Sequence, residues 1–101
     1  MAEYIIQILR SQLMVVFSWG FNNPIAITNG LRFKVEGFKL KGTVEVVYNE
    51  SSDLFDVRLI KNGKVVELVE GVYFDSLVDV IDYRVEKVDN YKERVEAEYS
   101  I

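Results

Sequence analysis

At 101 residues, with 50% apolar and 13% aromatic side chains, the chain is long enough for one hydrophobic core and too apolar for disorder. It contains neither cysteine nor histidine, which removes disulfides, thiolate nucleophiles, Cys-based metal centres, the usual general base and both familiar catalytic triads, leaving Asp, Glu, Lys and Tyr for proton transfer. A net charge of −4 argues against a protein whose main work is gripping nucleic-acid phosphates, and the charge is uneven, with five basic and three acidic side chains in residues 1–49 against seven and thirteen in residues 50–101.

Met1-Ala2-Glu3-Tyr4 lacks a basic n-region, so no secretory signal is expected and a cytoplasmic location is the default. From Glu3 to about Gln12, Ile5, Ile6, Ile8, Leu9 and Leu13 follow the three–four spacing of an amphipathic helix. Met14-Val15-Val16-Phe17 is continuously apolar and β-branched, and Gly20 with Asn22-Asn23-Pro24 ends it, which predicts a short buried strand; the competing reading extends the helix to Ser18. Ser11 to Leu31 carries no charge, but its dense apolar part falls far short of the ~20 residues of a membrane span, so it is read as core.

Pro24 to Gly30 reads as a connector. Leu31, Phe33 and Val35 then alternate with Arg32, Lys34 and Glu36, a half-buried strand whose phase changes at Gly37, where a bulge or tight turn is expected. Val44, Val46 and Tyr48 carry the next strand, and Asn49 to Asp53 is a turn by composition. Leu54 to Glu70 is the strongest local signal: two alternating runs joined by Asn62-Gly63, a pair suited to the positive φ values of a type I′ hairpin. Phe55, Val57 and Leu59 form one face of its first strand; the matching face of the second is either Val66 and Leu68 or Val65 and Val69. A closing helix is expected from Asp75 or Ser76, either of which can cap it, with Leu77, Ile81, Val85 and Val88 as its apolar stripe. Val95, Ala97, Tyr99 and Ile101 alternate in the tail, as in an extra strand or a frayed helical extension.

The fold expected is therefore α+β: an antiparallel β-meander of four to five strands with an N-terminal and a C-terminal helix packed on one face. Residues 1–88 form the single domain and 89–101 the tail.

Leu31-Arg32-Phe33-Lys34, Tyr48-Asn49, Asp53-Leu54-Phe55-Asp56 and Glu70-Gly71-Val72-Tyr73-Phe74-Asp75-Ser76-Leu77, in that order, resemble a family of small uncharacterised proteins encoded by bacterial phages and mobile elements. The likeness runs from about Ile5 to Val85 and departs from the family pattern at Ser18 to Asn23. It implies a helix, a short strand ending in a glycine, a β-meander and a closing helix, together with a mobile-element setting; no activity comes with it.

Three groups of side chains are candidates for function. Arg32, Lys34, Lys39 and Lys41 place four cations along the sheet, a way to track single-stranded nucleic acid if Trp19, Phe21 or Phe38 stacks on bases; the same cations suit a solvated sheet face. Asp53, Asp56 and Asp75 invite a magnesium or acid–base reading, against which stands ordinary turn and helix capping. Asp75, Asp79, Asp82 and Glu86 form an acidic helical stripe, either the wet face of the last helix or a dock for the Arg32–Lys41 cluster of a second copy. Trp19 and the nearby Phe17 and Phe21 are read as core, with Trp19 beside Gly20 as an alternative interface anchor. The function expected is protein–protein interaction, with self-association as a homodimer, followed by single-stranded nucleic-acid binding and then a carboxylate-dependent enzyme. No metal site and no cofactor is predicted.

Overall fold

The computed structural model describes residues 1–86. Their order is α1 (Ala2–Arg10), α2 (Leu13–Ser18), β1 (Asn22–Ile27), β2 (Gly30–Glu36), β3 (Lys41–Asn49), β4 (Leu54–Lys61), β5 (Lys64–Val72), a 3-10 turn (Phe74–Ser76) and α3 (Leu77–Val85). The strands form one antiparallel meander in the order β1-β2-β3-β4-β5. The α+β class, the meander and the terminal helices agree with the sequence. Val88 and the tail lie outside the described residues.

The packing follows from strand alternation. Leu31, Phe33 and Val35 of β2, Val44 and Val46 of β3, and Phe55, Val57 and Leu59 of β4 are buried on one sheet face. They share a core with Ile5 and Leu9 of α1, Val16 of α2, and Leu77, Val78, Ile81 and Val85 of α3. Each large side chain removed from water in this layer contributes about 1.5–3 kcal/mol. The helices lie on that face, and among the described residues no helix covers the other.

Two sequence expectations change. Residues 14–17 are helical, within α2, where Val16 N–H donates to Gln12 O at 3.1 Å and Ser18 Oγ to Val15 O at 2.5 Å. Helical phase sends Val16 and Trp19, three apart, inward together, which a strand's alternation would not do; local β-propensity gives way to that burial. Conversely, most of the expected 24–30 connector is strand: Ile25, Ala26 and Ile27 pair with Arg32, Leu31 and Gly30, leaving Thr28-Asn29 as the turn. Pro24 is accommodated because β1 is an edge strand, with its pairing interrupted between Asn22 and Ile25.

The hairpin turns at Asn62-Gly63 with φ of +53° and +76°, both in the left-handed region that a type I′ turn requires. Register shifts between Phe55 and Val57 and between Leu59 and Ile60 break the simple alternation of β5. Consequently neither expected pair forms the inner face. Val69, opposite Val57, is half-buried and Val72, opposite Phe55, is buried, while Val65, Val66 and Leu68 are exposed. Both sheet edges thus carry irregularities, a common means of blocking strand addition.

At the phase change, Gly37 lies in the β2–β3 turn against α3: a Cβ there would sit 2.3 Å from Val85 O, so only glycine allows the approach. The 3-10 turn precedes α3, with Ser76 at the N-cap and no side-chain hydrogen bond from it, so the expected side-chain cap is not made.

Candidate interaction surfaces

The uncovered sheet face can be read row by row, because directly paired residues point the same way. One row runs Ile25, Arg32, Glu45, Arg58, Leu68 across all five strands. Glu45 is only 7% exposed, although none of the described helices covers it. The Arg32 guanidinium stands 2.6 Å from its carboxylate on one side and that of Arg58 3.6 Å on the other, so the two arginines and their aliphatic stems screen the acid from water. Lys34 and Lys41 lie on this face beside Asn22 and Thr43, around a hollow of about 260 Å³.

Lys39 does not join them. Its ammonium donates to Tyr83 O at 2.7 Å and sits 4.3 Å from the centre of the Tyr83 ring, turned toward α3. The expected four-cation cluster therefore divides into three on the open face and one on the helix side.

Trp19 is fully buried. Its indole packs over Phe33 with ring centres 6.4 Å apart and donates its N–H to Asp82 Oδ1 at 2.9 Å. It is thus neither a stacking platform nor an interface anchor. That bond also takes Asp82 out of the acidic stripe, and Glu86 leaves it too, buried and accepting the Phe38 N–H at 2.9 Å. The N–H groups of Lys39 and Leu40 converge on Val85 O at 2.8 and 3.3 Å, so the β2–β3 turn closes the C-terminal end of α3. Asp75 and Asp79 alone of the four remain exposed.

Two of the candidate carboxylates, Asp53 and Asp56, likewise have partners of their own. Asp53 accepts the Tyr48 hydroxyl; this hydrogen bond, followed by desolvation and the charges of Asp53 and Glu50, holds the Tyr48 phenol above its ordinary range. Asp56 accepts the Gly71 N–H at 3.2 Å, and Asp75 belongs to the 3-10 turn. Among the described residues no three Asp or Glu side chains are placed to share a metal ion.

No family model, curated protein or solved structure matches this chain. Function must be argued from the surface itself.

One surface was not singled out from the sequence. On α2, Leu13, Met14 and Phe17 are 45%, 83% and 64% exposed. Beside them opens a cleft of about 200 Å³, lined by Ile6, Leu9, Leu13, Phe17, Phe21 and Pro24, with Arg10 as its charged lining residue. Its cause is geometric. The helical phase that buries Val16 and Trp19 turns residues 13, 14 and 17 outward, and α2 is six residues long. The signal available in sequence is the uncharged segment Ser11–Leu31, which reads as core because its dense apolar part is too short for a membrane span of ~20 residues. Among the described residues, no helix is long and apolar enough to cross a membrane.

Proposed function

We propose that this protein acts by binding another polypeptide through the apolar surface formed by α2 and the start of β1. The observation that carries the reading is the outward projection of Met14 and Phe17 beside an apolar cleft. Contiguous exposed apolar surface of this kind marks interaction sites in soluble domains. A mobile-element setting belongs to the same proposal and rests on the resemblance carried by the strand sequences.

Single-stranded nucleic-acid binding has less support. Arg32, Lys34 and Lys41 share the open face, but the open-face positions of β2, β3 and β4 carry no aromatic side chain on which bases can stack. A carboxylate-dependent reaction has less support too, since Asp53 and Asp56 are hydrogen-bonded to separate partners and Asp75 stands exposed in the 3-10 turn.

A photo-crosslinking side chain replacing Met14 tests the proposal against one replacing Asp79, exposed on α3. In the native cell, discrete protein adducts are expected from position 14 and none from position 79. Equal labelling at both, or none at position 14, overturns it.

A further inference from the structure

We infer that the polypeptide seated on α2 is a second copy of this chain, the two α2 helices meeting across a two-fold axis. The inference rests on the reading of α2 as the interaction surface and adds the identity of its partner.

A two-fold contact sets a surface against itself, so any charge in its middle meets its own image. The α2 patch lies within the uncharged segment Ser11–Leu31, with Arg10 as the one charged residue lining its cleft. The open sheet face carries charges of both signs, Lys34, Lys41 and Glu36 beside the Arg32–Glu45–Arg58 row, which a copy would have to match, and both sheet edges are interrupted by register shifts. Of these surfaces, α2 is the one that tolerates its own copy.

Shape points the same way. Met14 projects beside a cleft partly lined by Leu13 and Phe17 of the same helix. A protrusion and a hollow this close to one axis fill each other reciprocally when the helices pack ridge into groove. Leu13, Met14 and Phe17, 45%, 83% and 64% exposed, supply the contact together with the cleft rim, an interface at the small end of the specific range. The dimer is therefore a reversible one, whose population rises with concentration.

Sedimentation of the full chain across a concentration series tests this. Wild type is expected to shift from monomer to dimer, and Met14→Glu and Phe17→Glu to weaken association at least tenfold while keeping the wild-type circular dichroism spectrum. Lys41→Glu, on the open face, leaves the dimer intact. A wild type that is monomeric throughout, or a dimer that survives both α2 variants, overturns the inference. Crosslinking from position 14 separates this failure from that of the broader reading. Adducts of twice the chain mass support the second copy; adducts only to a different protein overturn it while α2 remains an interaction surface; no adduct and no dimer refute both.

Discussion

Helices α2 and α3 use the same kinds of side chain in opposite ways. Over nine residues α3 buries Leu77, Val78, Ile81 and Val85, and its polar neighbours are tied to the rest of the fold, Asp82 to Trp19 and Arg84 to Glu67 at 2.9 Å each. Helix α2, with the sequence LMVVFS, has no charged residue, yet buries Val16 alone. Apolar composition therefore does not decide which helix is covered; phase and available partners do. An apolar side chain in α3 has the sheet to pack on. Those of α2 that point away from the sheet stay largely exposed among the described residues, Met14 at 83%, and it is to this surface that a partner is assigned.

The residue joining the two helices should show the largest effect. Trp19 caps α2, fills the core over Phe33 and donates to Asp82 of α3. Trp19→Ala is expected to cost about 3–5 kcal/mol by leaving a cavity and a carboxylate without its donor. Trp19→Phe keeps most of the packing and loses the hydrogen bond, at about 1–2 kcal/mol. Urea midpoints measure both, and equal costs would show that the link to Asp82 contributes nothing.

The contrast between covered and uncovered surfaces recurs within the sheet. On the covered face burial comes from helices; on the other, Glu45 is shielded by two arginine side chains. Glu45→Ala is expected to cost about 2 kcal/mol, since it releases two half-exposed guanidiniums from a shielded partner. Part of this cost should disappear in high salt, as the arginines are open to water. A salt-independent cost would mean that the acid acts through packing.

Much of this architecture was legible in the sequence. The alternation at Leu31–Val35 and Phe55–Leu59 gave strands with the correct inner face, and Asn62-Gly63 placed the hairpin turn. Illegible were features settled by distant partners. Val15-Val16 favours a strand locally, but Trp19 has to reach Phe33 and Asp82, which lie 14 and 63 positions further along, and helix phase achieves that. Pro24 suggests a connector unless β1 is known to be an edge. The phase change at Gly37 sets Lys39 and Lys41 apart from Arg32 and Lys34, yet the turn there delivers Lys39 alone to Tyr83 and leaves Lys41 beside Lys34 on the open face. At the candidate site, composition singled out Trp19, whereas the exposed side chains beside it, Met14 and Phe17, depended on knowing the helix phase.

Away from both helices, Tyr48 offers a control through pH. Its phenol is held above the ordinary value of 10.0, chiefly by the hydrogen bond to Asp53, so folding favours the protonated form. That contribution is complete below pH 10.0 and is lost as pH rises through the raised folded value. Tyr48→Phe should remove this part of the alkaline loss, seen as a smaller fall in urea midpoint between about pH 8 and about pH 11. Substitutions on α2 should leave that difference unchanged, because Tyr48 belongs to β3 and its partner to the following turn. If Met14→Gln alters it, the sheet and α2 are coupled more closely than their packing indicates.

The smallest effect on stability is expected at the exposed apolar surface of α2. Met14→Gln exchanges two unbranched, helix-favouring side chains at a position 83% exposed, so the monomer should change by no more than about 0.5 kcal/mol. A residue of α3 with the same role as Met14 would be equally indifferent, but its Leu77, Val78, Ile81 and Val85 are buried, and Ile81→Ala should cost about 2–5 kcal/mol. Measured by urea unfolding at low protein concentration, the two helices then differ severalfold in their sensitivity to losing one apolar group. Raising the concentration sharpens the comparison: a partner that binds only the folded chain adds to its apparent stability by mass action. Met14→Gln should consequently fall behind wild type as concentration rises, whereas Ile81→Ala keeps a constant deficit. A Met14→Gln deficit that is large and independent of concentration would mean that Met14 packs against its own chain, and the contrast between α2 and α3 would collapse.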